Sequence, residues 1–260
     1  MRANYTSTFN TVSQLETLSE AAATVQVCPT LGTYLAAGLE QLFGVPQVKS
    51  PPPFGLAATE AWLRDLGQTV GKAEEAEAVI KTEREKVAAP LADLRSKLKG
   101  VRAVVAAGGV HGHSLMNVLG DLEIEVVKGL AWHHEPRLDH ASADSDSLSQ
   151  TVRDYGDMEY SVCHKQSFEI VNMLSRIRPD LFVVRHKGMA IWGAKLGIPT
   201  VLVSDENFGL GHQGLIDYGQ HVLAVLANRT FTENLSRHTR LPYSEWWMNE
   251  DHTTFLGVAT

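Results

Sequence analysis

Short apolar runs rich in valine and isoleucine alternate along this chain with segments of helix length, and no other feature narrows its fold as far. Parallel strands need long crossovers, usually helical, so the alternation predicts α/β lobes in which helices flank parallel sheets. The first unit reads as a strand over 24–28, a helix over 31–43 with Leu35, Leu39 and Leu42 on one face, and a strand over 45–48. Ser50-Pro51-Pro52-Pro53 cannot be helical and makes a rigid connection. A charged helical pattern then runs over 57–99, with a break or kink expected at Pro90.

The second lobe repeats the alternation. Strands are predicted over 101–107, 124–127, 181–185 and 200–203, and helices from 114, over 168–177 and 189–196, and finally over 214–227. Residues 133–160 are polar and read as a long loop. The expected division is a partial α/β lobe over 1–55, a helical bridge over 56–99 and a Rossmann-like lobe over 100–260. No internal repeat of solenoid spacing occurs.

Composition removes several classes of function. The net charge of −7 comes from dispersed acids, with no basic stripe to draw nucleic acid. The apolar runs are strand-length, far below the roughly 20 residues of a membrane span, and residues 1–10 are polar with no apolar signal core. Two cysteines, Cys28 and Cys163, are too few for a disulfide framework, so a reducing compartment, the cytoplasm, is expected.

Cys28 falls at the carboxyl end of a predicted strand, where ligands of open α/β sheets collect. Its thiolate could hold a soft metal or an iron–sulfur cluster or act as a nucleophile, and its thiol could equally be a small buried hydrophobe. Gly108-Gly109 joins a strand to a helix and allows backbone N–H groups to approach an anion. The G-x-G-x-x-G spacing of dinucleotide-binding loops is absent. His111, His113, His133 and His134 follow predicted strand ends without the spacing of a zinc site, which leaves ligand, proton-donor and surface roles open. Gly209-Leu210-Gly211-His212-Gln213-Gly214 opens the last predicted helix, as a flexible turn or as a glycine-lined wall for a bulky cofactor.

In order, these pieces resemble the nitrogenase component-1 superfamily, α-type subunits in particular, from about residue 8 to residue 228. Cys28 precedes Pro46 of Phe43-Gly44-Val45-Pro46 by 18 positions, similar to the family's stretch from its cofactor-ligating cysteine to Tyr-Gly-Ile-Pro. Pro53-Phe54-Gly55, Gly108-Gly109-Val110, Arg178-Pro179-Asp180-Leu181, Lys195-Leu196-Gly197-Ile198-Pro199 and Gly211-His212-Gln213-Gly214 resemble further family segments at nearly the right separations.

That resemblance implies an iron–sulfur cluster of nitrogenase type, with or without a heterometal. Cys28 would be its metal ligand, and Gly108, Gly109, Lys187 and Gly211 would line it. Lys187 matches, after a one-residue insertion, a lysine near the organic acid of molybdenum nitrogenase. His111 and His134 would stand beside the cluster as catalytic-site histidines. The implied partners are a β-like subunit and an ATP-dependent iron–sulfur reductase, and the implied activity is multi-electron reduction of a small substrate. The sequence also departs from the pattern: Ser204 stands where catalytic subunits carry the heterometal histidine, His111 where they carry arginine or lysine, and Thr30 and Leu31 in place of Arg-Ser. Nothing matches the family's amino-terminal domain. Ser204 and the Gly211-His212-Gln213-Gly214 turn favour one alternative, a scaffold on which such a cofactor matures and is handed on, and because fold does not settle function a cluster-free interaction module of the same fold is a further one.

Overall fold

A computed structural model of the chain describes residues 3–6, 9–26, 29–132, 147–156, 158–162, 167–204 and 208–251, and leaves aside the side chains of 29–31 and 147. In chain order its helices are α1 (Val12–Glu16), α2 (Pro29–Phe43), α3 (Leu56–Thr69), α4 (Ala73–Leu98), α5 (Gly109–Asp121), α6 (Ser147–Tyr155), α7 (Ser167–Ile177), α8 (Lys187–Lys195), α9 (Gly211–Ala227), α10 (Arg229–Arg237) and α11 (Glu245–Asn249). The strands are β1 (Arg102–Ala107), β2 (Glu125–Ala131), β3 (Glu159–Val162), β4 (Leu181–Val184) and β5 (Thr200–Leu202).

The strands form one parallel sheet in the order β3-β2-β1-β4-β5. Strand β1 is central and from Ala103 to Ala107 wholly buried, because helices cover both of its faces. Its side chains alternate between two cores. Ala103, Val105 and Ala107 pack with Leu91 and Leu94 of α4, Leu115 and Leu119 of α5 and Leu215 and Val222 of α9. Val104 and Ala106 pack with Ile170, Met173 and Leu174 of α7. Each fully buried aliphatic side chain of this kind contributes about 1.5–3 kcal/mol, so the period-2 burial of β1 fixes which helices lie on which face.

The parallel α/β sheet with flanking helices is the expected one, and several elements differ from their predicted form. The helical stretch turns at Gly71, whose φ of 65° suits glycine, and Pro90 lies inside α4. The proline deprives only the Lys86 carbonyl of its partner, and Lys86 is exposed to water that can satisfy it. Helix α5 starts at Gly109 directly after β1, five residues earlier than predicted, with Gly108 as its N-cap. Within the expected 133–160 loop, α6 and the edge strand β3 are formed; Glu-Tyr-Ser-Val is no apolar run, because an edge strand is less enclosed than a central one. The chain continues beyond the expected final helix into α10 and α11.

The two amino-terminal strands reduce to one parallel bridge, Thr24 to Gln47, with residues 27–28 outside the described set. Two short strands without a third neighbour are marginal, and no longer ladder forms among the described residues. Among the described residues no helix is long and apolar enough to cross a membrane.

Candidate functional site

Strand β1 sends its connection towards β2 on one side, while the chain returns from β3 to place β4 on the other. The two connections diverge and leave a crevice at the carboxyl ends of β1 and β4, the usual ligand position in an open α/β sheet. Gly108, extended at φ −64° and ψ 155°, caps α5 without a side-chain hydrogen bond, so the first-turn N–H groups of α5 lie at this edge with the positive end of the helix dipole.

His111 sits in that first turn. Its ring centroid lies 5.0 Å from that of Phe208 and 6.3 Å from that of Phe54. Across from it, the backbone N–H of Arg185 donates to the Ala106 carbonyl at 3.0 Å, which seats the residue just beyond β4. The Arg185 guanidinium donates through Nη1 to the Val203 carbonyl at 3.1 Å and stacks over the Phe208 ring, 4.2 Å from its centroid. His186 is the N-cap of α8, and exposed Lys187 is its first residue. The His186 ring meets Trp132 edge to face, with centroids 5.1 Å apart.

Helix α9 reaches the same edge. Gly211 has φ 72°, and its N–H donates to the Pro53 carbonyl at 3.0 Å, beside the bridge between Phe54 and Leu210. A side chain at Gly211 would be strained in this backbone conformation. The next residue, His212, is buried, with Nε2 3.8 Å from Glu60 Oε1. Glu60 accepts from Arg84 Nε at 2.9 Å and Nη2 at 2.5 Å. Burial pushes the Glu60 carboxyl upward, but the Arg84 hydrogen bonds and the charges of Arg84, Arg64 and His212 together hold it below its ordinary value.

A second set of contacts holds α5 in place. His113 Nε2 lies 2.9 Å from Asp154 Oδ2, and the Tyr155 hydroxyl donates to Asn117 Oδ1 at 2.7 Å. The Arg153 hydrogen bond, opposed by burial and reinforced by His113, holds Asp154 below its ordinary value. Burial drives Tyr155 up to about 12. Both groups therefore keep one protonation state near neutrality.

Of the residues singled out from sequence, Gly108, Gly109, His111, Lys187 and Gly211 stand at the carboxyl edge of the sheet, as does Ser204, just after Val203. Cys28, His133 and His134 lie outside the described residues. Sequence reasoning missed Arg185, Phe208 and Trp132 as parts of the crevice. The basic run Arg185-His186-Lys187 directly after an apolar strand was the available signal for the first; Phe208 and Trp132 carry no local signature.

Among the described residues no three side chains gather as a metal-ligand set. What the described walls offer is donors and positive charge: α5 N–H groups, Arg185, His186, Lys187, and the indole N–H of Trp132, which is buried without a partner. Such a donor set fits an anionic group.

The sequence matches the family model of nitrogenase component 1 type oxidoreductases over residues 2–227. The nitrogenase molybdenum-iron protein alpha chain of Methanothermobacter thermautotrophicus is 28% identical over 219 residues, 82% of this chain and 44% of that protein. The nitrogenase iron-molybdenum cofactor biosynthesis protein NifE of Methanococcus maripaludis is 23% identical over 225 residues, 82% of this chain and 43% of that protein. The chain thus spans less than half the length of these relatives. Among solved structures, nitrogenase Cp1 at pH 5 superposes with a TM-score of 0.64 at 16% identity, covering 89% of this chain and 51% of that one, a likeness of fold. With the family model running through every strand of a parallel sheet, the chain belongs to the nitrogenase component 1 type oxidoreductase family.

Proposed function

We propose that this chain forms one wall of an iron–sulfur metallocluster site in a nitrogenase-like α-type subunit that reduces a small substrate by several electrons. The observation that carries it is the set of donors at the carboxyl ends of β1, β2 and β4, with Gly108-Gly109 following β1, Arg185 following β4 and the unpartnered Trp132 N–H following β2, in a chain of this family. Cys28 would bind the cluster's iron. Gly108 and Gly109 would bring backbone N–H groups close to it, Gly211 would leave room at the start of α9, and Lys187 would hold the carboxylates of an organic acid. His111 and His134 would hold and deliver protons near neutral pH. A cluster held there would supply storage and transfer of electrons, and the residues around it would tune its charge, hydrogen bonding and access. A β-like subunit would close the site, an ATP-dependent iron–sulfur reductase would supply electrons, and the assembly would work in the cytoplasm.

Ser204 favours a second reading, a scaffold that matures a nitrogenase-type cofactor and passes it on, because a hydroxyl replaces the imidazole that would ligate a heterometal. The two differ on turnover: with reductase and ATP the enzyme consumes electrons continuously, whereas the scaffold releases its cluster to an acceptor. The primary test is iron and acid-labile sulfide after strictly anaerobic purification from the native host. Both are expected in the wild type, and Cys28→Ala is expected to lose most of the iron with the fold retained. A wild-type chain free of iron and sulfide refutes the cluster, and unchanged iron in Cys28→Ala refutes the ligand.

A further inference from the structure

Trp132 carries a buried hydrogen-bond donor that no group among the described residues accepts. Its backbone N–H donates to the Ala107 carbonyl at 2.9 Å, so it stands at the end of β2 beside the last residue of β1. Its ring meets the His186 imidazole at the end of β4, at 5.1 Å and an interplanar angle of 89°. Strand β1 separates β2 from β4, and neighbouring strands lie about 4.8 Å apart. The indole and its imidazole neighbour together therefore bridge the end of β1, next to Gly108. Trp132 packs with Val104, Ala106 and Ile170, on the α7 face, and so floors the crevice opposite Phe54 and Phe208.

The residue is 2% exposed, and its Nε1 is buried without an acceptor. An indole nitrogen can only donate, and a buried donor without an acceptor opposes folding. Phenylalanine would supply most of the apolar packing without that cost, at the expense of the volume of the second indole ring. Helix α8 begins at the same place with no side-chain cap and no acidic residue in its first turn. Two independent features thus call for an anionic acceptor at the same end of the sheet.

We propose that Trp132 is a binding residue of this crevice, its indole N–H donating to a sulfide of the bound cluster once the exposed His186 imidazole swings aside. This rests on the cluster reading above and adds a donor that tunes the cluster, because hydrogen bonds to sulfur help set the potential.

The test uses the full chain, wild type and Trp132→Phe, both apo and after anaerobic loading with ferrous iron and sulfide. Apo Trp132→Phe is expected to melt close to the wild-type temperature, since loss of the orphan donor offsets the volume lost from the core. Loading is expected to raise its melting temperature less than that of the wild type. Iron loss to a chelator is expected to be roughly ten- to a hundredfold faster, the scale of a lost hydrogen bond to a charged acceptor. The midpoint potential is expected to fall, because the N–H favours the more negative, reduced cluster. In case the variant misfolds, indole ¹⁵N NMR of the wild type gives an independent reading: one of its five tryptophan signals should shift or broaden away on loading. Five unchanged signals overturn the proposal. Equal loss of stability in apo and loaded forms, with iron release unchanged, overturns it too and makes Trp132 a packing residue. A wild-type chain that takes up no iron and sulfide refutes the cluster reading and this assignment with it, whereas normal uptake with identical behaviour of the variant refutes this assignment alone.

Discussion

Replacing Gly193 by alanine tests how α8, which carries Lys187 at its start, is seated on the sheet. A Cβ at Gly193 would lie 2.1 Å from Thr200 Oγ1 and 2.9 Å from Phe182 Cδ1. The Thr200 hydroxyl donates to the Ile198 carbonyl at 2.9 Å, so turning it away loses that bond, and Phe182 is wholly buried and has nowhere to go. Overpacking of this kind costs about 1–3 kcal/mol. Alanine recovers roughly 0.5–1 kcal/mol through helix propensity. The net expectation is a loss of up to about 2.5 kcal/mol, centred near ~1 kcal/mol, which is roughly 2–4 °C in melting temperature for a chain of this size. Urea unfolding followed by far-UV circular dichroism measures it, with the m-value unchanged. Adding Thr200→Ala removes the shorter contact, so the double variant should lose less than the sum of the singles, by about 1 kcal/mol. A Gly193→Ala protein as stable as wild type, or strictly additive losses, would refute the close seating of α8.

Three further outcomes follow from the geometry. Glu60 is held below its ordinary value, so its stabilising contribution is complete above the unfolded carboxyl range near ~4.3 and is lost as pH falls through the lower folded value; Glu60→Gln should be less stable at neutral pH and show a flatter acid limb in urea melts, and an unchanged limb would mean the Arg84 pair is idle. Asn172, wholly buried in α7, donates to the carbonyls of Trp247, Met248 and Glu250 at 3.3, 3.4 and 2.5 Å. Asn172→Ala should cost about 1–3 kcal/mol and speed hydrogen exchange around α11 selectively; uniform exchange changes across the protein would contradict this. His111→Lys exchanges a pH-dependent charge for a permanent one, so the pH dependence of the cluster potential should flatten between about pH 5 and 8; superimposable profiles at matched iron content would place His111 away from the cluster.

Much of the sheet was legible from residue order alone. The runs ending β1, β4 and β5 are continuous and apolar because a parallel strand covered on both faces admits little else, and the crossover between such strands must be long enough for a helix. The glycines at 108–109 and 211 were likewise legible, since helix starts without side-chain caps and a positive φ leave few other choices. Strand β3 was not, because an edge strand keeps polar side chains and sets no apolar pattern. Nor was the break at Gly71, and that the helix runs on through Pro90 depends on whether the orphaned carbonyl faces water. The crevice itself required three dimensions. Trp132 and His186 lie 54 positions apart (186 − 132) and meet only because the strand order sets β2 and β4 on either side of β1, so that the two rings span its end. Phe54, His111 and Phe208 likewise meet from three separate connections. Local sequence sets each strand's burial and each helix's face, but strand order is chosen by the packing of all the crossovers at once, and that order alone brings these donors to one edge.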